Sequence, residues 1–85
     1  MPSIADTEEI DGFYRNVSAN VKKLRIEKGI SQLDMALTIG QKSCTFYNYA
    51  ENNTNGKHFN LEHIYKIAKA LDVDNCELLK PIEQS

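Results

Sequence analysis

Apolar residues recur along this chain at three- and four-residue intervals, and no run alternates convincingly at every second position. That spacing lines one face of a helix rather than one face of a strand. Val17, Val21 and Leu24 follow one another at i, i+4, i+7, with Phe13 one turn earlier, while Arg15, Lys22, Arg25 and Lys28 occupy the opposite side. The pattern predicts a first helix over about 13–28, stopped by Gly29. Ser31 is placed to cap a second helix, with Asp34 favoured near its positive end. Met35, Ala36 and Ile39 form its inward face, and Gly40 ends it. A third helix is expected from Lys42 or Ser43 to Glu51. The run of Asn52, Asn53, Thr54, Asn55 and Gly56 is turn chemistry, opening a loop to about Phe59. Asn60 caps the next helix, whose stripe is Leu61, Ile64, Ile67, Ala68 and Leu71. Asp74, with Glu77 three residues on, opens a last short helix that buries Leu78 and Leu79 and ends at Pro81. The expected fold class is all-α, a compact bundle of about five short helices.

The third helix admits two registers. With Phe46 and Tyr49 inward at i, i+3, the outward positions are Ser43, Cys44, Tyr47 and Asn48, with Thr45 beside them. Shifted by one residue, Tyr47 and Ala50 point inward and Ser43 becomes the N-cap. The first register keeps two aromatic rings in the core and is preferred.

Five stretches carry a family likeness: VKKLRIEKGISQ at 21–32, MALTIG at 35–40, TFYNY at 45–49, LEHIYKIAKALDV at 61–73 and ELL at 77–79. Over residues 21–79 the chain resembles the lambda-repressor/Cro-like (XRE) helix-turn-helix family. The resemblance implies a lambda-repressor-like DNA-binding domain and a transcription regulator. It implies a homodimer on double-stranded DNA, at a short palindromic operator. Helix 43–51 would enter the major groove while helix 32–39 crosses the backbone. On that basis Asn48 is expected to read adenine with its amide. Tyr47 would meet a phosphate or a thymine methyl, and Ser43, Cys44 and Thr45 would share the contact surface. The resemblance gives Gln32 a phosphate contact that also braces the recognition helix. Lys42, in the turn, and Asn53, Asn55, Lys57 and His58, on the following loop, are expected at the DNA backbone. Tyr65, Leu79 and Ile82 are candidate dimer contacts, as leftover apolar surface. The chain ends soon after its last helix, so no sensing or protease-like domain is expected. A small repressor, a restriction–modification controller or an antitoxin-type autorepressor fits that description. The alternative is a protein-interaction module on the same fold, binding a regulator or a toxin.

Composition changes this picture in one respect. The net charge of −2 and a pI near 5.6 argue against a nucleic-acid partner. That average hides a division. Residues 1–12 hold four acids and no base, whereas residues 13–85 hold ten bases and eight acids. Within 22–57, six bases meet three acids. Residues 1–12 are therefore read as an acidic arm, either disordered or an extension of the first helix, and 13–85 as the helix-turn-helix domain. The arm is expected to weaken DNA binding.

The remaining chemistry is sparse. Cys44 and Cys76 are too few for a disulfide scaffold and lack metal-ligand spacing. Cys44 is read as a small outward residue rather than a redox sensor. His58 and His63 lie five apart, not at the i, i+4 spacing of a helical zinc pair. No metal or cofactor is expected. No nucleophile–base set, carboxylate pair or phosphate loop suggests an enzyme. The acidic start is unlike a secretory signal, and no stretch reaches the ~18 apolar residues of a membrane span, so a cytoplasmic protein is expected.

Overall fold

Short polar side chains set the helix boundaries. In a computed structural model, which describes residues 4–82, Asp6 caps the first helix: its Oδ1 accepts the Glu9 N–H at 2.8 Å. Helix α1 (Thr7–Glu27) therefore begins six residues before the start that the apolar stripe predicts. Thr7 to Ile10 are exposed, so no buried stripe could mark them. Phe13, expected inward, is 53 % exposed, and the buried face of α1 begins at Val17. At the other end Gly29, with φ +70°, donates to Ile26 while Ile30 donates to Arg25. This is the left-handed closure that glycine permits at least cost.

Ser31 caps α2 (Gln32–Thr38) as expected, accepting the Asp34 N–H at 3.0 Å. Helix α3 (Thr45–Asn52) follows, then α4 (Leu61–Leu71) and a 3-10 turn over Asn75–Leu78 where the last helix was expected. No strand occurs among the described residues. Asn60 and His63 form a reciprocal capping box at the start of α4. Asn60 Oδ1 accepts the His63 N–H at 2.7 Å, and His63 Nδ1 accepts the Asn60 N–H at 3.2 Å. Leu61, expected in the apolar stripe, is 83 % exposed, because it opens the first turn and the buried face begins at His63 and Ile64.

Helices of seven and eight residues are unstable alone. Tertiary packing holds them. Helix α1 packs on α3, α4 and the 3-10 turn, α2 lies against α3 and α4, and α4 meets the 3-10 turn. The core they share is built from Val17, Val21, Met35, Ile39, Tyr47, Phe59, Ile64, Ile67, Leu71 and Leu78, with three alanines between. Full burial of each large side chain contributes about 1.5–3 kcal/mol.

A polar seam closes the bundle, unmarked by any apolar pattern. Asn16 Nδ2 donates to the Lys80 carbonyl at 2.6 Å, and Asn16 Oδ1 accepts the Ile82 N–H at 2.8 Å. Asn20 Nδ2 donates to the carbonyls of Leu78 and Lys80. Two asparagines one turn apart on α1 thus strap down the segment after the 3-10 turn.

The His63 ring is nearly buried, and that burial lowers its pKa from the ordinary 6.5, with nearby Lys66 acting the same way against Glu62. A depressed histidine binds its proton less readily folded than unfolded, so its contribution to stability is present above about pH 6.5 and is lost as pH falls through the folded value. Protonation also removes the Nδ1 acceptor of the capping box. Thermal unfolding followed between pH 7.5 and 5 should show the melting temperature falling with pH. His63→Gln, which keeps a capping acceptor and cannot titrate, should flatten that dependence; an unchanged profile in the variant would assign it to other groups.

Candidate nucleic-acid interface

The link between α2 and α3 is a tight left-handed turn. Gly40, at φ +91°, donates to Leu37 at 3.1 Å, and Gln41 donates to Ala36 at 2.9 Å. Helix α3 starts at Thr45 from Cys44, which makes no side-chain cap bond. Ser43 Oγ instead lies 3.4 Å from Thr45 Oγ1, so Ser43 is not the N-cap in the observed arrangement.

The preferred register of this helix is corrected by the structure, which adopts the shifted one. Tyr47 and Ala50 are fully buried and Glu51 is 3 % exposed. The Tyr47 ring packs 5.4 Å from that of Phe59. Tyr47 therefore cannot supply the DNA contact expected of it. The rule of placing two aromatics inside is overridden because 47, 50 and 51 lie on one arc, and Glu51 must enter the bundle to meet Arg25. Phe46 is left half-buried at the core edge, its ring 5.3 Å from His63. Cys44, expected outward, is likewise half-buried against the core.

The outer surface of α3 carries Thr45, Asn48 and Asn52, all exposed, with half-buried Tyr49 beside them. Asn48 is outward as expected. Asn52 and Tyr49 were missed. The signal for Asn52 is its i+4 spacing from Asn48; Tyr49 follows only once the register is right.

Behind that surface runs a continuous polar chain. Arg25 holds Glu51 with two bonds, Nε to Oε2 at 2.8 Å and Nη2 to Oε1 at 2.9 Å, and its Nη1 donates to the Ile30 carbonyl. The side-chain exposures are 11 % for Arg25 and zero for Glu51. Gln32 Nε2 donates to Glu51 Oε1 at 3.1 Å, Asn48 Nδ2 donates to Gln32 Oε1 at 3.3 Å, and Asn52 Nδ2 donates to Asn48 Oδ1 at 2.8 Å. An ionised carboxylate only accepts. Glu51 therefore fixes which way Gln32 is turned, Gln32 fixes Asn48, and Asn48 fixes Asn52.

Burial alone would raise the Glu51 carboxyl, but its bonds with Arg25 and Gln32 and the Tyr47 hydroxyl beside it outweigh burial and hold it below its usual value. Burial, and then the Glu51 carboxylate, push the Tyr47 phenol well above its usual range. The Tyr47 hydroxyl has no hydrogen-bond partner of good geometry.

The remaining expected contact residues lie after α3 or in the turn. Asn53 closes α3 in the left-handed conformation and is half-buried; Asn55 is left-handed and exposed. Lys42 and Lys57 are exposed. His58 is half-buried, its ring stacked on Tyr14 at 3.6 Å and 7°. Among the described residues no helix is long and apolar enough to cross a membrane.

Two short helices across a glycine turn, the second braced by the first and presenting a row of polar side chains, define a helix-turn-helix unit. A helix-turn-helix family profile matches residues 21–78, from the middle of α1 through the 3-10 turn. The chain belongs to that family, of the lambda-repressor/Cro-like (XRE) type, whose members are DNA-binding regulators. Searches of curated proteins and of solved structures returned no match.

Two substitutions test this geometry. Arg25→Ala, which strands a buried carboxylate, should cost about 3–5 kcal/mol in urea unfolding. Arg25→Met combined with Glu51→Leu should recover much of that loss. Tyr47→Phe removes a buried hydroxyl that has no partner of good geometry but lies beside the Glu51 carboxylate, so the two effects oppose and stability should change by no more than about 1 kcal/mol. It should also leave duplex affinity unchanged; a drop in affinity with stability intact would return Tyr47 to the interface.

Proposed function

We propose that this chain is a sequence-specific DNA-binding regulator that acts as a homodimeric repressor or controller at a short palindromic operator, with α3 in the major groove. The observation that carries this reading is the oriented carboxamide of Asn48. Its Nδ2 gives one hydrogen to Gln32 and its Oδ1 accepts one from Asn52. A second hydrogen and a second lone pair stay free, on the exposed side of α3. That pair of functions is what adenine N7 and N6 require. A free asparagine would flip between two orientations, whereas this one is held in one, so its readout costs less ordering on binding.

Gln32 supports a companion role. Its Nε2 spends one hydrogen on Glu51 and keeps another for a phosphate oxygen beside the start of α2. Thr45 and Asn52 flank Asn48, and Ser43, Lys42, Asn55 and Lys57 are exposed groups suited to the backbone. The Arg25–Glu51 pair is internally neutral, which leaves, within residues 22–57, Lys22, Lys23, Lys28, Lys42 and Lys57 as exposed cations outside every ion pair among the described residues. The exposed apolar groups Tyr65, Leu79 and Ile82 supply the dimer surface in this reading.

Selection of bound sequences from a random duplex pool tests the proposal. A twofold-symmetric motif should emerge, containing adenine and with half-sites about 10–10.5 base pairs apart or a multiple of that. Asn48→Ala should lose about 1–3 kcal/mol of preference at the adenine. Lys42→Ala should weaken all duplexes alike. Absence of any salt-sensitive duplex binding would reject this function in favour of a protein-interaction module.

A further inference from the structure

Helix α1 borders an open groove of about 680 Å³ that runs from the C-terminal end of α3 toward the strapped segment at Pro81 and Ile82. Along it α1 contributes Gly12, Asn16, Ser18 and Ala19 beside Arg15 and Lys22. Arg15 and Lys22 are seven residues apart on one helix face, about 10 Å along the axis. Both are exposed, and neither forms an ion pair among the described residues. On the opposite side stand Asn52 and Asn53.

The end of a helix ordinarily repels anions, but here the Tyr49 and Ala50 carbonyls in its last turn are occupied. Ser18 Oγ donates to the Ala50 carbonyl at 2.8 Å, Asn53 N–H reaches the same oxygen at 3.3 Å, and Thr54 N–H donates to Tyr49 at 2.9 Å. Glu51, which also borders the groove, is neutralised by Arg25. The groove is thus open, positive at two separated points, and bordered by Asn52 from the outer face of α3.

We propose that this groove holds the phosphate backbone of the DNA that flanks the bases read by α3, with Arg15 and Lys22 each meeting one phosphate. The inference rests on the duplex-binding function proposed above and extends the interface to Arg15, beyond the residues 21–78 that the family profile spans. Its openness and its two separated cations suit a strand that passes along it, not a small anion enclosed by it. Its contacts are blind to sequence, so they lengthen the footprint without changing the preferred bases.

The test uses the full chain, the duplex motif obtained by selection, and two lengths of it, one trimmed to the selected bases and one with neighbouring sequence on both sides. Arg15→Gln combined with Lys22→Gln should fold normally, since both side chains are exposed. On the long duplex the double variant should show a salt slope shallower by about 1.8, from about 0.9 per phosphate contact. The advantage of the unaltered chain over the variant should therefore shrink about tenfold between 50 and 200 mM salt. On the trimmed duplex the two should converge. The selected sequence should not change. Lys66→Gln combined with Lys69→Gln, an equal charge loss on α4, should leave the slope unaltered. An unchanged slope in the Arg15/Lys22 variant, or an equal change in the α4 variant, overturns the groove while leaving duplex binding in place. No duplex binding by the unaltered chain overturns both.

Discussion

The Arg25–Glu51 ion pair is the constraint on which the rest of the arrangement depends. Burying two charges costs several kcal/mol per ion, and the attraction between them recovers that only with good geometry and further hydrogen bonds. Both conditions hold. The guanidinium meets the carboxylate with two bonds and the Ile30 carbonyl with a third, and Gln32 adds another to Glu51. The pair therefore joins the end of α1, the turn before α2, the first residue of α2 and the last turn of α3. Hydrophobic residues of similar volume could fill the same space at comparable stability. They could not fix the rotation of α3 or the orientation of an amide. The contribution of the pair is positional.

Rotation of α3 follows directly. Glu51 has to face Arg25, so Ala50 and Tyr47, on the same arc, go into the core, and Thr45, Asn48 and Asn52 go out. Tyr47 takes the largest fully buried position in the bundle, and its hydroxyl lies beside the charge pair without a good partner. The alternative rotation would bury Tyr49 and Phe46 fully, but it would turn Glu51 toward solvent and leave Arg25 unpaired inside the protein. An aromatic ring can sit half-buried at a core edge with little penalty, as Phe46 does. A buried unpaired charge cannot. The electrostatic demand outranks the hydrophobic one.

This ranking explains what was legible in the sequence. Boundaries governed by local chemistry were readable: Ser31 and Asn60 as caps, and Gly29 and Gly40 as left-handed stops, because each depends only on neighbours in the chain. The all-α class, the inward face of α2 and most of the α4 stripe were readable from periodicity. The start of α1 was not, because Thr7 to Ile10 bury nothing and only the Asp6 cap marks it. The register of α3 was not, because the deciding partner, Arg25, lies 26 residues away and apolar spacing alone favours the other rotation. The Asn16 and Asn20 strap is also nonlocal, formed with residues about 60 positions on. Of the candidate site, Gln32, Thr45 and Asn48 could be found from the family likeness. Tyr49 and Asn52 depended on knowing the register.

The continuous α1 helix also resolves what the acidic balance of the chain means physically. Were residues 7–12 a loose arm, their charge would average over the whole surface. As part of a helix they are held at set distances. Glu8 and Glu9 lie roughly 25 Å along the axis from Arg25, at about 1.5 Å per residue. Exposed charges are largely screened beyond about 8–10 Å at physiological salt. Glu8 and Glu9 therefore have little influence on the Arg25–Glu51 pair, which lies toward the other end of α1. Asp11, one turn from Arg15, lies within the screening length of the groove beside α1. The acids thus bear on the groove, which the first half of α1 shares with Asn52 and Asn53, and not on the charge pair that sets the rotation of α3. A negative net charge is compatible with a DNA-binding domain when a helix holds much of the negative charge at one end, apart from the residues that fix the rotation of the second helix of the motif.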